Sequence, residues 1–172
     1  MLQLLGGVLI ISGMLGLGMS YLEKEKQRIA TLEKWEYITE LYVNEILFKK
    51  QPLSLASMEI GKKIRGIEGK VLHSIGEKLQ NGQEDFFADI WKKEWKNSRK
   101  EMVLSKEEME LILQFQSFTG FENEEIQKKM ILVQQEKWKK IRERVQEENR
   151  EKKKIVMLLS FSVGMLIVLI LL

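Results

Sequence analysis

Hydrophobic and polar positions divide the chain into three parts. Residues 1–22 and 155–172 contain no Asp, Glu, Lys or Arg, so every charged side chain lies in residues 23–154. Because an α-helix rises about 1.5 Å per residue, residues 155–172 would span about 27 Å, close to the hydrocarbon thickness of a bilayer. The pattern therefore predicts a transmembrane helix over 1–22, a helical domain over 23–154 and a second transmembrane helix over 155–172.

Apolar residues in the charged middle recur at steps of three to five, which is typical of amphipathic helices. The stripe predicted for the first helix is Ile29, Leu32, Trp35, Ile38, Tyr42 and Ile46. The stripe predicted for the last helix is Ile126, Met130, Val133, Trp138, Ile141 and Val145. No helix breaker lies at either junction with an apolar end, so both helices are predicted to continue into those ends.

Four shorter helices are predicted between these two. Pro52 suits the first turn of a helix over about 52–63, since its fixed φ is helical and its missing N–H is not needed there. A second helix is predicted over about 67–80. Gly82 is interpreted as its C-terminal cap rather than as part of a hairpin, because the flanking residues lack strand alternation.

The remaining helix signals lie after residue 85. Aromatic and apolar residues predicted to line the fourth helix are Phe86, Phe87, Ile90, Trp91 and Trp95. Ser105 and Glu108 have the spacing of a capping box, which predicts the start of the fifth helix. Gly120 is predicted to end that helix, and Asn123 to cap the N-terminus of the last one.

Composition strengthens the helical prediction. The chain has one Pro and no Cys, so it lacks a disulfide framework and thiolate metal ligands. Together with the periodicity, this predicts an all-α fold: a compact six-helix bundle flanked by N- and C-terminal transmembrane helices. The net charge of +3 is spread along the middle among acidic residues, so we expect a solvated helical surface and no nucleic-acid partner.

Basic side chains flank both apolar ends on the side of the charged middle. They are Lys24, Lys26, Arg28, Lys152, Lys153 and Lys154. By the positive-inside rule, they place the middle domain in the cytosol. The alternative for residues 1–22 is a cleaved signal peptide. A retained anchor is favoured, because the segment lacks a basic start and a small-x-small cleavage site before Tyr21.

Small residues recur every four positions in both apolar ends. Ser12, Gly16 and Ser20 share one face of the first, and Ser160 and Gly164 repeat the spacing in the second. Such spacing lets membrane helices approach closely. The alternative is that Gly and Ser are simply common in membrane helices. We predict a helix-packing role for these five positions.

No constellation of residues indicates an active site. His73 is the only histidine and has no Cys partner, and Ser74 beside it points in another direction on a helix. The glycines near the start lie in an apolar segment without the Lys of a phosphate loop. We therefore expect a protein that is not an enzyme, without metal, cofactor or small-molecule substrate.

Short motifs spread over the whole chain carry a family resemblance. They are Leu4-Leu5-Gly6, Pro52-Leu53 with Ala56, Phe115, Gly120, Gln127 and the terminal Val168-Leu169-Ile170-Leu171-Leu172. Their order and spacing resemble those of the stage III sporulation protein AB family of endospore-forming bacteria. Where that family commonly shows Phe-Gly and Leu-Gly, this chain has Phe115-Gln116 and Thr119-Gly120.

The resemblance implies a role that the residues alone do not indicate. Family members are similar to a cytosolic domain of the platform protein in type II secretion and type IV pilus machines. A channel complex between mother cell and forespore is therefore implied, with other sporulation channel subunits and a cytosolic secretion-type ATPase as partners. The implied location is the mother-cell membrane around the forespore. The alternative is a membrane-tethered helical scaffold of the cell envelope or division machinery.

Overall fold

The computed structural model describes residues 2–82, 86–118 and 124–171, and helices without any strand make up its regular structure there. Six α-helices follow one another: α1 (Leu2–Tyr42), α2 (Leu53–Lys63), α3 (Ile67–Gln80), α4 (Phe87–Ser98), α5 (Lys106–Gln114) and α6 (Glu124–Leu171). A π-helical turn, Val43–Phe48, extends α1, and 3₁₀ turns follow α4 and α5. The all-α prediction is confirmed, as are the continuous first and last helices.

The contacts divide the chain into two compact units. The central unit is Thr31–Lys140, and the terminal unit combines Met1–Ala30 with Ile141–Leu172. These limits come from packing, whereas the boundaries predicted at 22/23 and 154/155 come from charge. The predicted division into one cytosolic domain and two anchors stays a prediction.

Four tryptophans form the core of the central unit. Trp35 of α1 stacks on Trp138 of α6 with ring centroids 5.6 Å apart and an interplanar angle of 18°. Trp95 of α4 meets Trp35 edge to face at 4.8 Å, and Trp91 lies 6.5 Å from the same ring. All four side chains are almost completely buried. Aromatic burial therefore joins three helices that are far apart in the chain.

The short helix α5 is held at its C-terminal end by side chains of its neighbours. The Trp91 indole N–H donates to the carbonyl of Ile112 at 2.7 Å, and the Gln134 amide donates to the carbonyl of Leu111 at 2.7 Å. The last carbonyls of a helix lack intrahelical partners, and here α4 and α6 supply donors to that region. The bond to Leu111 gives the amide nitrogen of the fully buried Gln134 a partner.

The apolar stripe predicted for α6 was wrong at two positions. Ile126 and Val133 are 47 % and 43 % exposed. The side chains that α6 buries lie at steps of three, four or seven: Gln127, Ile131, Gln134, Trp138 and Val145. Two glutamines lie on this face, so a search for apolar residues alone selected a neighbouring face of the helix.

Glycines allow the backbones of α2 and α3 to pack in direct contact with each other. A Cβ added to Gly61 would lie 2.6 Å from the backbone nitrogen of His73, and one added to Gly69 would overlap the Ile64 carbonyl oxygen. Gly76 has the same constraint from the backbone of α2, where its Cβ would be 2.7 Å from the Ser54 carbonyl oxygen. These residues weaken the helices locally but are required by the α2–α3 contact.

Most predicted helix ends are confirmed. Helix α2 begins at Leu53, one residue after the predicted start at Pro52, which is its N-cap. Gly82 has a φ of 64° after α3. Both hydrogen bonds of the Ser105–Glu108 capping box are present. Phe86 was wrongly placed in the lining of α4, since it precedes the helix and is 80 % exposed.

The predicted ends at Gly120 and Asn123 lie outside the described residues.

Candidate functional site

The apolar end of α6 is the first candidate. Among the described residues, α6 is the one helix long and apolar enough to cross a membrane, and 6 % of its most apolar stretch is buried. Its large exposed side chains in this part are Ile155, Met157, Leu158, Leu159, Phe161, Val163, Met165, Leu166, Leu169 and Ile170. The apolar side chains of this part of α6 therefore face the surroundings of the protein rather than its core, and water is an unfavourable solvent for them.

The apolar part of α1 packs against this end of α6 within the terminal unit. A Cβ added to Gly18 would lie 2.5 Å from Ser160 Oγ and 3.5 Å from a methyl group of Val156. A Cβ on Gly7 would lie 3.3 Å from a methyl group of Val168. The partner number in α6 falls as the number in α1 rises, so the two segments are antiparallel.

The predicted packing residues lie on two different sides of this pair. Gly164 is buried and Ser160 is half-buried beside Gly18. Ser12, Gly16 and Ser20 are exposed, and nothing lies within 4 Å of a Cβ added to Gly16. A packing role for those three residues against another helix stays a prediction.

Gly7 and Gly18 are the contact glycines that the sequence reasoning missed. They are 11 residues apart, about three helical turns, which places them on one face of α1. Leu22, four residues after Gly18, continues that face and is buried. The three-turn spacing was therefore a signal that could have identified this side of α1.

A buried carboxylate at the end of α1 is the second candidate. Glu45 lies in the π-helical turn and is fully buried. Its Oε1 accepts a hydrogen bond of 2.7 Å from Lys63 of α2, and Lys49 Nζ lies 3.0 Å from it. The ammonium groups of Lys63 and Lys49 hold the pKa of the Glu45 carboxyl below its usual value against the effect of burial. Single π-helical turns are frequent at functional sites.

The same end of the central unit contains a buried hydroxyl pair. The Tyr42 and Ser57 hydroxyl groups are 2.8 Å apart, and both residues are buried. Burial raises the pKa of the Tyr42 hydroxyl well above its ordinary value. Together with the Lys63–Glu45 ion pair, this contact fixes α2 against the end of α1. The second carboxylate oxygen of Glu45, Oε2, is buried without a hydrogen-bond partner among the described residues, although Lys49 Nζ lies 3.0 Å from it.

We predict that Glu45→Gln lowers the free energy of unfolding by about 1–2 kcal/mol at pH 7, because it removes a charged acceptor from two lysines that remain partly hydrated. A lowered folded pKa means that the stabilisation is complete above the ordinary glutamate pKa of about 4.3 and declines as the pH falls toward the folded value. Thermal unfolding of the full chain in mild detergent would therefore show a gap in Tm at pH 7 that narrows once the pH falls below about 4.

The matched control is Glu110→Gln, which removes an equal charge from the exposed surface of α5. We expect its Tm to follow the wild type across the pH range. A Tm gap for Glu45→Gln that does not narrow as the pH falls below about 4 would contradict the assigned ion pair.

No group of three His, Asp or Glu side chains that could hold a metal ion occurs in the part of the chain that the structure describes. His73 is partly exposed on α3, and its Nδ1 lies 3.6 Å from Glu77 Oε2 one turn later. Neither residue joins the Glu45 cluster or the terminal unit. The described geometry therefore consists of helix-packing contacts and ion pairs.

The family-motif positions are structural in character. Ala56 and Phe115 are buried, and Gln127 is largely buried on α6. Pro52 caps α2, whose first residue, Leu53, is half-buried. Gly6 is half-buried, and nothing lies within 4 Å of a Cβ added to it. Gly120 lies outside the described residues.

The fold and these contacts define an all-helical protein with one helix suited to a membrane. The family model for stage III sporulation protein AB matches residues 3–172, so the chain belongs to that family. This membership assigns it a role in sporulation, in a family not known for enzymatic activity.

A solved structure of "Stage III sporulation protein AB" has a similar fold. The TM-score is 0.66 at 19 % sequence identity, and the match covers 72 % of this chain and 97 % of the solved one. A comparison with curated protein sequences found no significant match. At this identity the structural likeness concerns the fold.

Proposed function

We infer that the protein is a non-enzymatic membrane platform subunit of a secretion-like channel complex between mother cell and forespore. In this proposal residues 1–22 and 155–172 span the mother-cell membrane around the forespore, and residues 23–154 lie in the mother-cell cytosol. The cytosolic part engages a secretion-type ATPase, and the anchors contact other channel subunits. The observation that carries the proposal is the outward-facing apolar end of α6 in a member of a sporulation family.

Exposed apolar area supports the membrane location. Burial of apolar surface is favourable by roughly 25 cal/mol per Å², so a helical turn of exposed Leu, Ile, Met and Phe is unfavourable in water. In lipid the same side chains are solvated, and the backbone of a continuous helix satisfies its own hydrogen bonds. The terminal part of α6 meets both conditions over its length.

Pairing within one chain supports two anchors rather than one. The Gly18–Ser160 and Gly7–Val168 contacts bring the first apolar segment alongside the second. An antiparallel pair of spans places residues 23 and 154 on the same side of the membrane, as the positive-inside rule also requires. The basic residues of both flanks then favour the cytosolic side.

Helix continuity supports a platform role. Helices α1 and α6 continue without interruption across the proposed membrane boundaries at 22/23 and 154/155. Neither crossing contains Pro or Gly, the usual causes of a sharp kink. Movement imposed on the cytosolic part by an ATPase would therefore be passed to the anchors along helices, without a flexible linker between them.

Affinity capture of the tagged full-length protein from sporulating cells in mild detergent tests the proposal. We expect mass spectrometry to identify a secretion-type ATPase and co-expressed channel subunits, which are absent from the capture of an unrelated double-spanning protein. Sodium carbonate washing should leave the protein in the membrane fraction. Recovery of division or wall-synthesis proteins without an ATPase would overturn the platform role in favour of a tethered scaffold.

A further inference from the structure

We propose that five lysines of the terminal unit form a lipid-binding belt that recognises the phosphate groups of anionic phospholipids. The belt consists of Lys24, Lys26, Lys152, Lys153 and Lys154. This inference rests on the proposed membrane location, and it adds a ligand class to that location. Its basis is the common height of the five lysine positions along the axes of the paired helices.

The Gly18–Ser160 contact fixes the relative height of the two helices. Lys24 lies six residues after Gly18, and Lys154 lies six residues before Ser160, so both are about 9 Å from the contact along the helix axes. Lys26 and Lys152 are eight residues from the same contact, about 12 Å away. The five lysines therefore occupy a layer about 3 Å deep.

This layer is strongly positive. Glu25 is the one acidic residue at the same height, which leaves a net charge of +4. Arg28 lies 3.7 Å from the Glu25 carboxylate and partly neutralises it. Beyond the layer, on the side of the chain ends, the two helices contain Glu23 as their last charged residue. The basic layer thus lies where the helices change from charged to apolar, at the height expected for lipid headgroups.

The lysines are available to a ligand. All five are exposed or half-exposed, and no acidic side chain among the described residues pairs with Lys24, Lys153 or Lys154. Lys26 and Lys152 contact Glu23 at 3.3 Å and Glu148 at 3.5 Å, and both pairs are open to solvent. Exposed pairs of this kind are weak, so phosphate oxygens can compete with the carboxylates.

Anionic phospholipid is the occupant that this geometry favours. Clusters of four to eight basic residues directly cytosolic to membrane helices attract anionic headgroups. The apolar side chains immediately below the belt, including Ile155 and Leu158, are exposed and would contact the acyl chains of the same lipids. A free phosphate ion would gain the charges but none of this apolar contact.

Native mass spectrometry of the full-length protein in dodecylmaltoside tests the belt. The probes are phosphatidylglycerol, phosphatidylcholine with the same acyl chains, and inorganic phosphate. We expect phosphatidylglycerol to bind about tenfold or more tighter than phosphatidylcholine, and phosphate not to displace it. K24Q/K26Q/K152Q/K153Q/K154Q should lose this preference, and the corresponding Lys→Arg variant should keep it.

The matched control replaces five exposed lysines of the central unit, K70Q/K92Q/K93Q/K96Q/K100Q, and so removes an equal charge. It should retain the preference for phosphatidylglycerol. Equal loss in both glutamine variants, or equal binding of both lipids by the wild type, would overturn the belt. Reconstitution into vesicles separates the two proposals. If the protein enters phosphatidylcholine vesicles but does not prefer phosphatidylglycerol, the membrane location stands and only the lipid-binding belt is refuted.

Discussion

Gly69→Ala should lower the free energy of unfolding by about 3 kcal/mol or more, since the added methyl group overfills a backbone contact. A Cβ at this position would overlap the Ile64 carbonyl oxygen and lie 2.8 Å from the Gly61 carbonyl oxygen. Backbone atoms cannot rotate away as the end of a flexible side chain does, so α2 and α3 must separate. Thermal unfolding of the full chain, followed by far-UV circular dichroism in mild detergent, measures the loss.

Intrinsic helix propensity predicts the opposite sign for the same substitution. Ala is favoured over Gly inside a helix by about 1 kcal/mol, so a stabilised Gly69→Ala variant would contradict the packing account. Gly82→Ala is the control, because nothing lies within 4 Å of its added Cβ and its φ of 64° costs a non-glycine residue about 1 kcal/mol. We expect the control to retain most of the wild-type stability.

Trp35→Ala should cost about 3–5 kcal/mol, the range for removing a large buried aromatic side chain. The Trp35 ring contacts two helices in addition to its own, through Trp95 at 4.8 Å and Trp138 at 5.6 Å. Its loss would leave a cavity bordered by large rings that cannot close around it easily. We expect a broad, early thermal transition and a red-shifted emission from the remaining tryptophans.

Tyr37→Ala is the matched control for this substitution. Tyr37 lies two residues later on α1 and is 49 % exposed. It should cost under about 1 kcal/mol, as for most surface substitutions. Similar losses for the two variants would mean that the effect arises from helix α1 itself rather than from the tryptophan core.

Sequence signals predicted the ends of a helix well where those ends are determined by contacts between residues close together in the chain. The limits of α3 and the capping box at Ser105 depend on residues within one or two turns, and both agree with the structure. The face of α6 depends on distant partners. Gln134 is buried because the Leu111 carbonyl accepts its hydrogen bond, and no pattern of apolar residues reveals such a partner.

The candidate sites were predicted less completely for the same reason. Glu45 is a charged residue inside an apolar stripe, and its burial depends on Lys63, which lies 18 residues away on α2. The close approach at Gly18 depends on Ser160 near the other end of the chain. Membership of the sporulation family, by contrast, followed from short motifs spread along the sequence and is confirmed.

The stacking of Trp35 on Trp138 joins residues 103 positions apart in the chain, which has a consequence for the order of folding during synthesis. The α2–α3 contact is local and closes a short loop, so it forms early. Trp35 must remain without its stacking partner until most of the chain has left the ribosome. Because α1 is synthesised before α6, it completes its packing only after α6 has emerged, and a chaperone or the membrane itself would have to protect its apolar face in the interval.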